Sequence, residues 1–488
     1  MEQTAATGSG DFDRLRVHSV GLAGTLFQSI THMAPAAAVA YSIYISVGFS
    51  GQALALSVAI ALVACLLVAN SIGQLAKDMP SAGGLYTYVS RTLGPQAGFM
   101  VAWCYLLFEP FVAPFLFLEF GWVLNEVFNS ELDVSISWAF WVVVITVIIF
   151  LLTYRDIRLS TTAGIILGVF EIAVFGALAL WMLASNAGDL NLQPFNPDHA
   201  QTASSFTGIF KGMVFAVLAF IGFEASAPLG EEARHPRWTI PRAVVLSTLI
   251  IGLFYVLMAY SWVFGAGFDN FLTQATGADP WRDLGKIFWS TGWILVLLAI
   301  LNSIIANSNA GVNAATRVIY AMARNGVAPR ALARTHPVFK TPNVAIILNL
   351  GMALGISLLL GWVWGPLNAF ITIATWIVIL VIIVYILTCF GTVAYYLGPR
   401  RDQFNPLLHL VFPIAGAFLI GAPLYFQFVP LPAYPYRFGN WIAVGWLVLG
   451  VIVTAWLHAT RPQSLKNAER IYVEDETIAT PAPAPAGR

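Results

Sequence analysis

Charged residues are scarce in this sequence. Only 10% of its 488 residues are Asp, Glu, Lys or Arg, whereas a soluble domain has about 25%. Hydrophobic residues make up 58%, and the mean hydropathy is +0.77. Apolar runs of about 20 residues recur along the chain, and each is long enough to cross a bilayer. The sequence therefore predicts an all-α, polytopic membrane protein and excludes a soluble globular fold.

The few cysteines, the zero net charge and the scattered histidines argue against several functional classes. The three cysteines all fall in apolar runs, which indicates small buried hydrophobes rather than a disulfide framework. The net charge is zero, so no nucleic-acid partner is indicated. The seven histidines are scattered without metal-ligand spacing. We therefore expect no metal site and no cofactor, and the sequence disfavours an intramembrane enzyme.

About twelve apolar spans are predicted, and they form a transmembrane domain over residues 19–460. The polar cytoplasmic segment before it, residues 1–18, lacks the pattern of a cleaved signal peptide. The tail, residues 461–488, ends in alternating Pro and Ala and is predicted to be disordered in the cytoplasm. The predicted spans are 20–48, 51–75, 95–124, 137–154, 160–185, 206–230, 241–264, 286–322, 343–361, 367–397, 407–428 and 440–459.

The basic residues predict the orientation in the membrane. Lys and Arg are enriched in cytoplasmic loops. If the N-terminus is cytoplasmic, only four of the 24 basic residues lie outside or near the outer face, namely Lys211, Arg282, Lys286 and Arg437. We therefore expect a multi-pass protein of the cell inner (cytoplasmic) membrane with both termini in the cytoplasm.

Two spans contain helix-breaking sequence at corresponding positions. The first span reads Thr31-His32-Met33-Ala34-Pro35-Ala36, and the sixth reads Gly222-Phe223-Glu224-Ala225-Ser226-Ala227-Pro228. Proline lacks an N–H and clashes with the preceding turn, and lipid cannot satisfy the backbone groups that this frees. Two interrupted spans, five apart, are typical of an inverted-repeat transporter in which spans one to five and six to ten are the repeats. The alternative is a pair of simple proline kinks.

Three motifs carry a family resemblance. They are Gly222-Phe223-Glu224 with Glu231–Pro236, the run Pro80–Arg91, and the run Arg317–Gly326. With these motifs the sequence resembles the amino acid–polyamine–organocation (APC) superfamily, in its bacterial amino acid permease branch. The resemblance covers residues 20–400 and implies a 5+5 inverted-repeat fold with broken helices 1 and 6, plus two extra helices. It also implies import or exchange of amino acids or amines. Where many members have a glycine-rich break, this chain has Thr31–Pro35, a form more similar to that of putrescine and amine importers.

The two breaks define the predicted substrate site. Half-helix N-termini present N–H groups and positive dipole ends, which suit a carboxylate. We expect an α-carboxylate on the N–H groups around Met33–Ala36 and an amine on the carbonyls of Gly222–Glu224. The predicted substrate-binding residues are Thr31, His32, Met33, Ala34, Ala36, Gly222, Phe223, Glu224, Ser226, Glu109 and Asn307.

Span eight has an unusually polar stripe between Asn302 and Asn313. Such a stripe must face protein or a wet cavity. Two interpretations stay open at this point. Either Ser303 and Asn307 line the substrate or ion path, or the stripe makes hydrogen bonds between helices.

Ionisable residues inside spans are candidates for ion coupling. Glu224 lies at the break of span six and is the first candidate. Glu171 in span five, Ser303 and His32 are further candidates, and the coupling ion is a proton or sodium. For each of these residues the alternative is a structural hydrogen bond.

The predicted function is secondary-active uptake or exchange of amino acids, coupled to protons. An amine or polyamine importer of the same fold is the first alternative. A channel would need a continuous ring-lined pore, whereas the polar residues cluster at two helix breaks. The expected partners are a small amino acid or amine, a proton or sodium ion, and the lipid bilayer.

Overall fold

The computed structural model describes residues 20–460, apart from residues 82, 156, 202–204, 231, 278, 325–328, 338 and 340. The description also excludes the side chains of residues 155, 157–163, 205, 317, 318, 321, 322 and 324. The predicted N-terminal segment and tail therefore lie outside the described residues, as does part of the Arg317–Gly326 motif.

The fold is all-α. The described residues contain no strand beyond an isolated bridge between Val20 and Ala233. The main helices are α1 (Leu22–Met33), α2 (Tyr44–Ser50), α3 (Leu54–Asp78), α4 (Gly84–Leu93), α5 (Pro95–Leu132), α6 (Trp138–Arg155), α7 (Ile157–Ser185), α8 (Ser205–Phe220), α9 (Pro236–Gly265), α10 (Pro280–Trp289), α11 (Trp293–Arg324), α12 (Asn343–Trp364), α13 (Pro366–Leu397), α14 (Phe412–Phe426) and α15 (Arg437–Thr460).

The helices account for the twelve predicted spans. Within the described residues, ten helical runs are long and apolar enough to cross a membrane. One of them, Leu22–Asp78, contains both of the first two predicted spans, which part at Gly51 with φ +53°. The shorter apolar helix Trp138–Tyr154 corresponds to the fourth predicted span. The chain is therefore a multi-pass membrane protein, as its composition predicts.

The core lies where the long helices meet. Helix α3 packs along α9, and α5 packs along α11 and α13. Trp262 and Tyr385 are fully buried there, whereas large apolar side chains such as Phe418 and Trp362 are exposed on the outer surface. An exposed apolar rim suits lipid, which solvates hydrocarbon and leaves backbone polar groups to be satisfied inside the helices.

The cysteines behave as the sequence predicts. Cys65, Cys104 and Cys389 are all buried, and none forms a disulfide. Each lies inside a long apolar helix, where it packs as a small hydrophobic side chain.

The first span is broken at Ala34. Helix α1 ends at Met33, and Ala34 adopts a left-handed conformation with φ +47°. Pro35 then begins a short helix, Pro35–Ala37, which leads through a π-helical turn, Ala38–Ile43, into α2. Proline suits the first helical position because its missing N–H would have no partner there. The predicted break at Thr31–Pro35 is therefore confirmed.

The sixth span is broken near its middle. Helix α8 ends at Phe220, Gly222 turns the chain with φ +111°, and a 3₁₀ helix follows over Phe223–Gly230. Pro228 lies inside this 3₁₀ segment. The predicted break at Gly222–Pro228 is also confirmed, and the two broken spans stand five apart in chain order.

The chain covers the breaks on the side where α1 begins, called the N-terminal face below. Val20 donates its N–H to the Glu232 carbonyl at 3.0 Å, and its own carbonyl accepts the Arg234 N–H at 2.8 Å. The start of α4 lies against the same segment, since a Cβ added at Gly84 would stand 3.1 Å from Pro228 Cγ. The segment after the sixth-span break is thus held against both the start of span one and the start of α4.

Candidate functional site

The two breaks face each other at close range. A Cβ added at Gly222 would lie 2.6 Å from His32 Cδ2 and 2.8 Å from the His32 carbonyl carbon. The φ of +111° at Gly222 is also one that side chains rarely allow. Glycine is therefore required here for two independent reasons, and the predicted juxtaposition of the breaks is confirmed.

Two hydroxyl groups tie the breaks together. Ser29 Oγ donates to the Phe223 carbonyl at 2.8 Å and accepts the Ser226 N–H at 3.1 Å. Tyr255 Oη of α9 lies 2.8 Å from the Met33 carbonyl and 2.9 Å from the Ala219 carbonyl. Because the breaks leave carbonyls and N–H groups without helical partners, these hydroxyls satisfy backbone that lipid could not.

Glu224 occupies the break of span six. Its Oε2 accepts the Gly222 N–H at 3.0 Å and the Tyr385 hydroxyl at 2.8 Å. Tyr385 belongs to α13, so this carboxyl group connects the sixth-span break to span ten. Glu224 is buried, at 5% exposure, and a buried carboxyl group needs such donors to offset its lost hydration.

Glu171 of α7 reaches the break of span one. Its Oε2 accepts the Ala36 N–H at 3.2 Å. The Ser303 hydroxyl of α11 lies beside the same carboxyl group, although its geometry falls outside hydrogen-bond limits. The Glu171 carboxyl group therefore accepts the hydrogen bond of an N–H group that the sequence analysis assigns to a substrate carboxylate.

A small cavity lies on the side of the breaks away from the N-terminal face. Its volume is about 40 Å³, and one water needs about 10–15 Å³ of such space. A molecule larger than a few waters can therefore enter only if the walls move apart. The cavity is lined by His32, Met33, Ala34, Ala37, Ala38, Ser42, Val112, Phe115, Leu116, Glu119, Leu218, Ile221, Asn307 and Ile377.

The predicted site residues fall into two groups. Four of them line the cavity, namely His32, Met33, Ala34 and Asn307. The rest form or adjoin the network around the breaks, and these are Ala36, Gly222, Phe223, Glu224, Ser226, Glu171, Ser303, Thr31 and Glu109. The structure thus brings the predicted residues together, and their binding roles stay predictions.

Two members of the second group, Thr31 and Glu109, lie beside the network around the breaks. Thr31 faces α7, where a Cβ added at Gly164 would lie 3.5 Å from its Oγ1. Glu109 is buried within electrostatic range of Glu224, and its Oε2 has no hydrogen-bond partner among the described residues. Neither lines the cavity.

The polar stripe of span eight contributes both to a contact between helices and to the wall of the cavity. Asn302 donates to the Leu167 carbonyl of α7 at 3.0 Å, which is a hydrogen bond between helices. Asn307 lines the cavity, and its Oδ1 has no partner among the described residues. The interpretation as a hydrogen bond between helices is therefore confirmed for Asn302, whereas a place of Asn307 in the substrate or ion path stays a prediction.

Sequence reasoning missed two residues that the structure places at the centre, and it favoured a structural hydrogen bond near the outer face for a third, Glu119. Tyr255 and Tyr385 lie in long apolar spans that hold further tyrosines, and no local signal in the sequence points to their distant partners. Glu119 lines the cavity, although its position along span three suggests a place near the outer face. A signal existed for Glu119, since Val112, Phe115 and Leu116 precede it at helical spacing on one face.

Comparison with known proteins identifies the family. A family model described as amino acid permease matches residues 21–454. The chain belongs to this family of permeases.

The relatives differ in what their names say they transport. Branched-chain amino acid permease BcaP of Bacillus subtilis (strain 168) is 26% identical over 325 residues, which are 61% of this chain and 65% of BcaP. Low-affinity putrescine importer PlaP of Escherichia coli (strain K12) is 30% identical over 309 residues, again 61% of this chain and 65% of PlaP. Glutamate/serine transporter AimA of Bacillus subtilis is 25% identical over 427 residues, or 79% of this chain and 76% of AimA. The chain thus spans 65% of the length of each of the first two relatives.

Proposed function

We propose that this protein is a secondary-active transporter of amino acids or amines, driven by protons. It acts in the cytoplasmic membrane with both termini inside. The observation that carries the proposal is the Glu224 carboxyl group, which lies in the break and binds the Gly222 N–H and the Tyr385 hydroxyl. The family membership and the named relatives support the substrate classes.

The geometry suggests how a proton and a substrate influence each other. An ionised Glu224 accepts two hydrogen bonds at Oε2 and thereby ties the sixth-span break to α13. A protonated carboxyl group accepts less strongly and becomes a donor itself, so proton binding weakens this tie. Ile221, which lines the cavity, is a direct neighbour of Gly222. A substrate that shifts the break therefore changes the proton affinity of Glu224, and linkage makes the effect reciprocal.

One observation favours an amine over an amino acid. The Ala36 N–H, which would hold a substrate carboxylate, is bound to Glu171. An amino acid bound there must displace that carboxyl group, whereas an amine without a carboxylate leaves it in place. Amine import is thus the second candidate function.

Uptake by proteoliposomes tests the coupling. We expect an inward proton gradient to drive accumulation above the equilibrium level with sodium absent. Glu224→Gln keeps the shape and most hydrogen bonds of the side chain but cannot titrate. It should still bind substrate, exchange it across the membrane, and lose gradient-driven accumulation.

Glu171→Gln is the matched comparison, because it neutralises the other carboxyl group at the breaks. If Glu224→Gln accumulates substrate normally while Glu171→Gln does not, the coupling role belongs to span five. If accumulation requires a sodium gradient and ignores the proton gradient, the proposed ion is wrong.

A further inference from the structure

Glu119 is the one carboxyl group among the residues that line the cavity. It follows Val112, Phe115 and Leu116 on the same face of α5, and all four contribute to the wall. The side chain is 2% exposed, and its Oε1 has no hydrogen-bond partner among the described residues. A buried carboxyl oxygen without a partner is costly, so the position of Glu119 against a cavity calls for a functional explanation.

The described residues that line the cavity supply no full positive charge to Glu119. Apart from the His32 imidazole, no basic side chain is among the residues that line the cavity. The buried guanidinium of Arg282 in α10 pairs with Glu131 and Asp283. An ionised Glu119 therefore has no counter-charge in the described cavity wall, and a cationic ligand group would supply one.

Asn307 supplies a second acceptor oxygen to the cavity wall. It is 8% exposed, it lines the same cavity from α11, and its Oδ1 also lacks a partner among the described residues. Two acceptor oxygens without donors match a group rich in N–H, and an ammonium group offers three such donors. His32 lines the same space, and its Nδ1 likewise has no partner among the described residues.

The residues that line the cavity extend away from the breaks along two spans. On span one they run from His32 at the break to Ser42 in the π-helical turn beyond it. On α5, Glu119 lies about 10 Å beyond Val112 in the same direction, away from the N-terminal face. An elongated molecule with one end at the breaks therefore has its other end near Glu119.

We propose that Glu119 and Asn307 bind a cationic, N–H-bearing end of the substrate, distal to the breaks. The substrates are then organic cations with two binding ends, namely diamines or basic amino acids, and neutral amino acids bind more weakly. This inference rests on the proposed function for its physiological meaning, but binding alone can test it.

The experiment measures binding to the full-length protein in detergent, with two matched ligand pairs. Lysine and norleucine differ in the distal ammonium group and share the α-amino and carboxylate groups. Putrescine and n-butylamine differ in the same way without a carboxylate. We expect wild-type protein to bind the cationic member of at least one pair about tenfold or more tightly.

Glu119→Gln should remove that preference and leave the affinity for norleucine or n-butylamine nearly unchanged. Glu126→Gln, on the same helix but outside the cavity lining, is the control and should keep the preference. Asn307→Asp adds a second carboxyl group to the wall and should increase the preference. A thermal unfolding curve for each variant shows that it is folded.

Four results would overturn the inference. Three of them are a wild-type preference for the neutral member of both pairs, an equal effect of Glu119→Gln on both members, and no binding of any of the four ligands. A change in sodium dependence without a change in the ligand preference would also overturn it, since Glu119 would then bind an inorganic cation. Cation-selective binding without proton-driven uptake in proteoliposomes would instead support this inference while contradicting the proposed function.

Discussion

The two helix breaks that meet at the centre of this protein satisfy their backbone in different ways. At the first break, the Ala36 N–H binds Glu171 of α7, which is 135 residues away in sequence. At the second break, the Gly222 N–H binds Glu224, only two residues further on. At the first break the accepting carboxyl group thus comes from another helix, whereas at the second break it comes from the broken span itself.

The two breaks are therefore expected to respond differently when helices move. The hydrogen bond at Ala36 lasts only while α7 stays docked against span one, so a shift of α7 exposes that N–H group. The Glu224 contact with Gly222 moves with the sixth span as a unit, and the Tyr385 hydroxyl links the Glu224 carboxyl group to α13. We therefore expect span one to respond to helix docking and span six to respond to the ionisation of its own carboxyl group.

The largest effect is expected from a substitution that forces the two helix breaks apart. In Gly222→Ala, the new methyl group would overlap His32 and strain a backbone at φ +111°. Strain and overpacking together should cost about 3 kcal/mol or more. We expect a large fall in the detergent Tm and no transport.

Gly176→Ala is the control for this variant. Gly176 lies in α7 with nothing within 4 Å of an added Cβ, and alanine is a better helix former than glycine. Its Tm should equal or slightly exceed that of the wild type. A Gly222→Ala protein with unchanged Tm and transport would show that the breaks need not approach so closely.

A second experiment tests whether the first break depends on a borrowed carboxyl group. Glu171→Ala leaves the Ala36 N–H without an acceptor, which should cost about 1–3 kcal/mol. Glu171→Gln keeps an acceptor oxygen and should remain close to wild type in stability. The measurements are Tm and the hydrogen exchange rate of the segment that contains Ala36.

The difference in Tm and hydrogen exchange between Glu171→Ala and Glu171→Gln decides whether the Glu171 contact stabilises the first break. If alanine and glutamine substitutions have the same effect on exchange near Ala36, the contact does not stabilise the break. Exchange around Gly222 should stay unchanged in both variants, because Glu224 satisfies that break locally.

The smallest expected effect concerns the hydroxyl that both breaks share. Tyr255→Phe removes the contacts with the carbonyls of Met33 and Ala219 and keeps the buried ring. Hydrogen bonds inside membrane proteins average about 0.6 kcal/mol, so a loss of about 1 kcal/mol is expected.

Tyr260→Phe is the control on the same helix, since its hydroxyl binds the Asn191 carbonyl in an exposed setting. We expect faster hydrogen exchange at both breaks in Tyr255→Phe and at neither in Tyr260→Phe. Faster exchange at one break alone would mean that Tyr255 belongs to that span and does not join the two.

Much of the fold could be predicted from the sequence. The near absence of charge, the repeated apolar runs and the positions of Pro35 and Pro228 predicted the membrane class, the spans and both breaks. These features are local, because hydropathy and backbone geometry depend on neighbouring residues. Glu224 was a candidate for the same reason, since it is an ionisable residue inside a broken span.

The partners of these residues could not be predicted in that way. Glu171 and Glu224 are both glutamates in apolar spans, and nothing near them in sequence shows that one binds Ala36 and the other Tyr385. Glu119 is the clearest case, since its position along span three did not reveal that it faces the cavity beside Asn307.

The sequence by itself thus determined that this is a helical membrane protein with two facing breaks, because composition and proline placement are properties of the chain. The tertiary structure alone decided which carboxyl group serves each break and which one faces the cavity. The physical reason is that hydrogen bonds and cavity walls form between helices far apart in sequence. Their rotation and depth are set by packing, which acts only once the helices are assembled.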